Sequence, residues 1–161
     1  MTWTIPIYDR TDVDVAEAKT QIEEWLSDPS SATVTDLKGC LNPSDLNRIE
    51  SNTEHLETAI AEIGYSGASM VHKTNWAYTD YSDLTPSWKI NTIDRIINNL
   101  SELFNFLPSE FIMRSMPDSM MSYSEINDIE YIQARIKKYI ECVIESPRYC
   151  GAVISGDIYA A

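Results

Sequence analysis

Residues 46–63, LNRIESNTEHLETAIAEI, carry the pattern from which the architecture of this chain follows. Its core-facing positions recur in steps of three and four residues, which places them on one stripe of an α-helix. Two other stretches repeat these steps, one beginning at Ile90 and one at Ile126, and a shorter series begins at Val15. Each stripe covers only one side of a helix. The sequence therefore predicts helices that pack on one another around a shared core.

Capping residues mark where these helices begin. Asn42-Pro43 and Thr85-Pro86 each place a capping side chain before a proline at the first helical position. Ser122 followed by Glu125 fits a capping box. Together with the stripes, these signals predict helices over 13–27, 43–63, 86–107 and 123–145. The residues expected to be buried are Ile49, Leu56, Ile60, Ile93, Ile97, Leu100, Ile129, Ile136 and Ile140.

The predicted fold class is mainly α, a bundle of three long helices and one shorter N-terminal helix in a single domain over 1–161. The connections 27–41, 64–84 and 108–121 exceed the roughly 2–8 residues usual between bundle helices, and they are too apolar for free linkers. We expect them to be packed loops. Residues 1–11 and 147–161 contain alternating apolar positions, which predicts extended terminal segments and a small β element formed by the two ends.

Composition narrows the range of functions. The chain has 161 residues, with 12 Lys and Arg against 25 Asp and Glu, so its formal net charge is −13. Such a charge repels phosphate backbones and anionic lipids, which disfavours nucleic-acid and membrane partners. No apolar run approaches the roughly 20 residues that span a bilayer.

Chemistry-bearing residues are sparse. The three cysteines and two histidines are scattered, without the close spacing of a zinc site. The motifs of nucleophilic, metal-dependent and nucleotide-binding enzymes are missing from the sequence. The acidic series Glu50, Glu54, Glu57 and Glu62 is typical of a solvated helix face. We therefore expect a protein that is not an enzyme and has no catalytic residues, cofactor or metal site.

One short pattern occurs in all three long helices. Asn47, Asn91 and Asn127 each follow an apolar residue and precede the sequence x-Ile-acid. Asparagine is a mediocre helix former, so its recurrence invites an explanation. Each asparagine side chain could hold a neighbouring loop or helix, in a contact repeated three times. Alternatively, asparagine and an acid are favoured near helix N-termini by local hydrogen bonds and the helix dipole.

Five segments, in order, resemble a family of small proteins encoded by phages and prophages of Firmicutes. They are Ile5-Pro6-Ile7-Tyr8-Asp9-Arg10-Thr11, the stretch from Leu37 through Asp45-Leu46-Asn47-Arg48-Ile49-Glu50, Lys73-Thr74-Asn75-Trp76, Asp118 to Glu130, and Ile154-Ser155-Gly156-Asp157-Ile158-Tyr159. The resemblance implies a virion structural or assembly protein, associated with the tail, baseplate or tail fibre. It implies other virion proteins as partners, several copies or a homo-oligomer, and localisation in the virion after synthesis in the host cytoplasm. No catalytic residues come with it.

Residues outside the helix stripes are the candidates for such contacts, because aromatic residues and methionine are enriched in interface cores. The candidate interface residues are Trp3, Ile5, Trp76, Phe111, Met113, Met116, Tyr149 and Tyr159. Packing within their own chain is the alternative interpretation of each. The alternative function is a small acidic binding or inhibitor protein, acting as a nucleic-acid mimic or host-factor binder.

Overall fold

The computed structural model describes residues 2–30, 35–65, 69–81, 90–108, 114–120 and 122–156, with the backbone alone for 81, 90 and 147–156. Within these ranges the chain forms four α-helices: α1 Asp12–Ser27, α2 Pro43–Glu62, α3 Arg95–Phe104 and α4 Tyr123–Gly156. A 3₁₀ turn spans Tyr78–Tyr81, and a π-helical turn, Ile90–Asp94, leads directly into α3. The same ranges contain no strand. The prediction of a mainly helical chain is confirmed.

The core lies where three helices meet. α2 packs against α3 and α4, and α3 packs against α4. All nine residues expected to be buried are buried, and Leu56, Leu100 and Ile136 have no exposed surface. Trp76 and Met120, from the connections between helices, complete this apolar cluster. These parts of the connections therefore pack on the helices, as their composition predicts.

A polar pair lies inside the interface between α2 and α4. The Gln133 side-chain amide donates hydrogen bonds to the backbone carbonyl of Ile49 at 2.7 Å and to the Thr53 hydroxyl at 2.8 Å. Gln133 and Thr53 are the two polar positions in the otherwise apolar stripes of α4 and α2. Because they face each other, the Gln133 amide nitrogen and the Thr53 hydroxyl have a partner, which offsets part of the cost of burying these polar atoms, while the Gln133 amide oxygen has no hydrogen bond.

Side-chain caps fix the starts of the helices. Asp45 accepts a hydrogen bond from the backbone N–H of Asn42, and Glu125 accepts one from that of Ser122. At α1, Thr11 and Asp14 form a reciprocal capping box, and the hydrogen bond from Thr11 holds the pKa of the Asp14 carboxyl below its usual value. The predicted cap at Thr85-Pro86 lies outside the described residues.

Two boundary predictions are wrong. α4 does not stop before Pro147 but continues to Gly156, so residues 147–156 are helical and the predicted extended C-terminal segment is absent there. Proline in a helix costs about 3 kcal/mol and removes one backbone hydrogen bond, but the residues that follow retain their own bonding pattern. The small sheet joining the termini is excluded for residues 149–156, and residues 157–161 lie outside the described part. α3 ends at Phe104 rather than 107, where the backbone tightens into successive turns.

Glycine at position 39 lets α1 approach the chain that precedes α2. A Cβ at this position would overlap the backbone carbonyl of Asp14 and lie 2.6 Å from the Cα of Val15. The close approach therefore requires the absence of a side chain.

We expect Gly39→Ala to push α1 away from this loop and to lower the free energy of unfolding by about 1–3 kcal/mol, as for other overpacked sites. Chemical denaturation followed by circular dichroism measures the change. Ala16→Gly in exposed α1, which lowers helix propensity without altering this contact, is the comparison and should cost about 1 kcal/mol. A Gly39→Ala protein as stable as the parent would contradict the close approach.

Candidate functional site

The N-terminal segment is held by two side chains that are three residues apart on α4. Glu130 accepts a hydrogen bond from the backbone N–H of Ile7 at 2.6 Å. Asn127 accepts one from the backbone N–H of Arg10 at 3.2 Å and donates one to the Arg10 carbonyl at 2.9 Å. We call this pair the α4 clamp, and residues 7–10 the N-terminal strap.

α2 holds a second segment in the same way. Glu50 accepts a hydrogen bond from the backbone N–H of Lys73 at 3.1 Å. Asn47 accepts one from the backbone N–H of Trp76 at 2.6 Å and donates one to its carbonyl at 3.0 Å. We call this pair the α2 clamp and residues 73–76 the central strap. The two clamps use identical atoms at identical spacing, on straps of identical length.

The geometry explains why these residue types recur. Residues three apart lie on the same face of an α-helix, so an Asn and a Glu can reach one neighbouring segment together. A side-chain amide offers one acceptor and two donors, so it can satisfy both backbone groups of one residue. The carboxylate then accepts the N–H three residues earlier. Each clamp therefore satisfies backbone groups that lack a strand partner.

The third copy of the pattern behaves differently. Asn91 is exposed and Asp94 is half-buried, and their helical turn is π rather than α. A π-turn is wider, so residues three apart do not point in the direction they take in an α-helix. The contact proposed for all three asparagines is therefore present at Asn47 and Asn127, while Asn91 lies at the surface.

A buried ionic network surrounds the α4 clamp. The Arg10 guanidinium donates to Asp45 at 2.7 Å and to Glu130 at 2.9 Å. Arg48 donates to both oxygens of Glu130 at 2.7 Å and also bonds Asp45. Burial by itself lowers the pKa of Arg48, but hydrogen bonding and attraction by Glu130 and Asp45 outweigh it and raise that pKa. Two cations and two carboxylates thus neutralise one another inside the protein.

A second charged cluster surrounds the α2 clamp. Arg95 forms a two-point contact with the carboxylate of Glu50, at 2.8 Å through one of its nitrogens, and the Trp76 indole N–H lies 3.3 Å from the same group. The His72 ring nitrogen Nε2 lies 2.8 Å from Glu57. Glu50 is only 1% exposed. The interpretation of Glu50 as part of a solvated face is therefore wrong, and Glu57 is half-buried, because both carboxylates bond to the chain that crosses α2.

Two more asparagines hold extended backbone. Asn52 pairs with both backbone groups of Thr4, at 2.9 and 2.8 Å. Asn99 donates to the carbonyl of Val71 at 3.0 Å. The N-terminal segment therefore contacts α2 at Thr4 and α4 at residues 7–10. The sequence repeat did not include these asparagines, and only their placement on the buried sides of helices α2 and α3 reveals them.

The predicted interface residues have different environments. Trp76 is buried in the core, which agrees with the alternative interpretation that it packs within its own chain. Trp3 and Met116 are half-buried and pack against the core. Ile5 is 81% exposed. Phe111, Met113 and Tyr159 lie outside the described residues, as does the side chain of Tyr149.

Sequence reasoning missed the acidic member of each clamp. The signal was present, because Glu50 and Glu130 stand three residues after Asn47 and Asn127 and therefore share their helix face. The arrangement holds backbone: Glu50, Asn127 and Glu130 are buried, Asn47 is half-buried, and all four side chains bond to the chain itself. Within the described residues no group of three or more His, Cys, Asp or Glu could hold a metal ion.

The α4 clamp gives a direct prediction for mutagenesis. Asn127→Ala leaves the buried N–H and C=O of Arg10 without their partner, and we expect a loss of about 1–3 kcal/mol in the free energy of unfolding. Asn91→Ala is the matched control, since it removes the same residue from the same pattern at an exposed position and should stay within about 0.5 kcal/mol. Urea denaturation of both variants measures the difference. Equal effects would contradict the clamp.

Comparison of this chain with protein-family models, with curated proteins and with solved structures gave no match. None of the helices in the described ranges has the length and apolar character needed to cross a membrane.

Proposed function

We propose that this chain is a non-enzymatic structural protein of a bacteriophage particle, associated with the tail, baseplate or tail fibre and acting through protein–protein contacts in several copies. The observation that carries the proposal is the structural role of the residues that give the family resemblance. Arg10, Asn47, Glu50, Asn127 and Glu130 all serve to hold backbone segments on helices. These residues therefore maintain the shape of the protein, and a component of an assembly requires a defined shape.

The surface supports the same proposal. Ile5, Leu26, Val71 and Val13 are large apolar side chains that are between 64% and 81% exposed. Single exposed apolar residues are ordinary on a soluble protein. Here, however, Ile5 and Val71 both belong to the extended segments that the clamps and asparagines hold against α2, α3 and α4 by hydrogen bonds. Fixed extended segments with outward apolar side chains suit contacts with neighbouring proteins.

The acidic-mimic alternative receives less support. A nucleic-acid mimic needs its carboxylates at the surface, where they imitate phosphates. Asp45, Glu50 and Glu130 are buried and paired with arginines, so they contribute nothing to such a surface. We therefore place the virion function first.

The test is to look for the protein in purified particles. We expect mass spectrometry of gradient-purified virions to find the chain at several copies per particle. Its presence in the host lysate together with its absence from particles would overturn the proposal. Binding of the purified protein to a host nucleic-acid-binding protein, with release of that protein's DNA or RNA, would instead support the acidic mimic.

A pair of variants tests the contact surface. Ile5→Asp places a charge at an exposed position, so it should leave the fold stable and lower the amount of protein in the particles. Thr2→Asp adds the same charge to an exposed polar position of the same segment and should be incorporated normally. Equal incorporation of the two variants would remove Ile5 from the interface.

A further inference from the structure

The two clamps hold straps that lie in opposite directions along the sequence. The α2 clamp holds the central strap, which follows it by 23 to 29 residues. The α4 clamp has no later strap in the described residues, and holds the N-terminal strap, 117 to 123 residues before it. Along the chain, the first clamp therefore holds the strap that comes after it, and the last clamp holds the first strap.

We propose that the α4 clamp also accepts the N-terminal strap of a second copy, so that copies of this chain are joined by exchange of residues 7–10. In such a pair, the last clamp of one copy holds the first strap of the next copy. Within one copy, the α2 clamp already holds the strap that comes after it. Exchange gives the α4 clamp the same relation to the strap of the next copy. The occupant of the interface is therefore a second copy of this chain.

The contacts argue for a second copy rather than an unrelated partner. An exchanged strap would make the bonds of Ile7 and Arg10 to Glu130 and Asn127 that the chain's own strap makes. Exchange consequently changes few contacts, and its equilibrium depends on the local concentration of copies. Arg10 also supplies a cation that matches the buried carboxylates of Asp45 and Glu130, a requirement that few unrelated segments meet.

The attachment of the strap to the rest of its own chain is compatible with exchange. α1, which follows the strap, buries only Ala18, and Ile22, Leu26 and Val13 remain exposed. The strap does not move alone: Trp3 packs on the core, Asn52 pairs with Thr4 and α1 lies against Gly39, so the strap and α1 would make these same contacts in the second copy. The buried Arg10 network makes release slow, so we expect exchange to occur as copies fold side by side.

Cross-linking tests whether the N-terminal strap of one copy lies beside the α4 clamp of another. The rings of Tyr8 in the strap and Tyr131 on α4 have centroids 5.7 Å apart, and neither residue belongs to the clamp. In a background where Cys40, Cys142 and Cys150 are serines, one chain carries Tyr8→Cys and a differently tagged chain carries Tyr131→Cys. The two are co-expressed, purified through both tags and treated with a short bis-maleimide. A cross-linked heterodimer is the expected result.

Four further variants make the result decisive. A single chain with both Tyr8→Cys and Tyr131→Cys should cross-link internally, which shows that the pair is within reach. A partner chain that carries Glu102→Cys, at an exposed position of α3, in place of Tyr131→Cys should form no cross-linked heterodimer. Arg10→Ala in the strap-donating chain weakens its competition with the acceptor's own strap and should lower the yield at least about tenfold, whereas Asp9→Ala at an exposed position should not.

Failure of the Tyr8→Cys and Tyr131→Cys chains to form a cross-linked heterodimer, while the doubly substituted chain cross-links internally, would overturn the proposal. So would equal yields with Tyr131→Cys and Glu102→Cys partners, because these would report random collision. The readout uses only the purified chain, so a failure here leaves the proposed place in the virion standing, and absence from virions leaves strap exchange standing.

Discussion

Replacing Glu130 by alanine is expected to lower the free energy of unfolding by about 3–5 kcal/mol, the largest effect of any single substitution considered for this protein. Glu130 is fully buried and accepts hydrogen bonds from Arg10, Arg48 and the backbone of Ile7. Its removal leaves two guanidinium groups with one remaining carboxylate, Asp45. A buried charge without its partner retains the cost of desolvation and loses the attraction that offset it.

The matched control for this prediction is Asp128→Ala on the same helix. Asp128 pairs with Arg114 at 2.7 Å, but both side chains are more than a third exposed. Such surface pairs contribute at most about 1 kcal/mol. Guanidinium denaturation of the two variants should separate them clearly. If Glu130→Ala were no more harmful than Asp128→Ala, the buried network would not stabilise the fold.

Replacing Leu100 by alanine is expected to cost about 2–5 kcal/mol. Leu100 lies on α3 with none of its surface exposed, in the cluster where α2, α3 and α4 meet. Truncation removes apolar burial and leaves a cavity that its packed neighbours fill only in part. The midpoint of urea denaturation, with the slope of the transition unchanged, measures the loss.

Leu26→Ala is the comparison for Leu100→Ala, because Leu26 has the same side chain on α1 but is 76% exposed. It should change stability by no more than about 0.5 kcal/mol. A large effect at Leu26 would mean that α1 is packed by a partner in solution. A negligible effect at Leu100 would contradict the three-helix core.

The sequence by itself determined the helices and the apolar core, because both follow from a local periodicity. A residue three or four positions along an α-helix returns to the same side, so the stripes identified Ile49, Ile97 and Ile129 as buried without knowledge of the neighbouring helices. The capping patterns located the starts of α2 and α4 for the same local reason. The asparagine repeat was also visible in the sequence, which left open whether its side chains hold a neighbouring segment or only favour a helix start.

Only the tertiary structure decided which acidic residues are buried. Glu50 and Glu54 look alike in the sequence, yet Glu50 is buried because Arg95, 45 residues away, lies beside it. Glu130 likewise depends on Arg48 and Arg10, which are 82 and 120 residues distant. A carboxylate enters the interior only where a cation and hydrogen-bond donors offset its desolvation. The spacing from Asn47 and Asn127 places Glu50 and Glu130 on the clamp face, but the arginines that neutralise them come from distant parts of the chain and meet them only when it has folded.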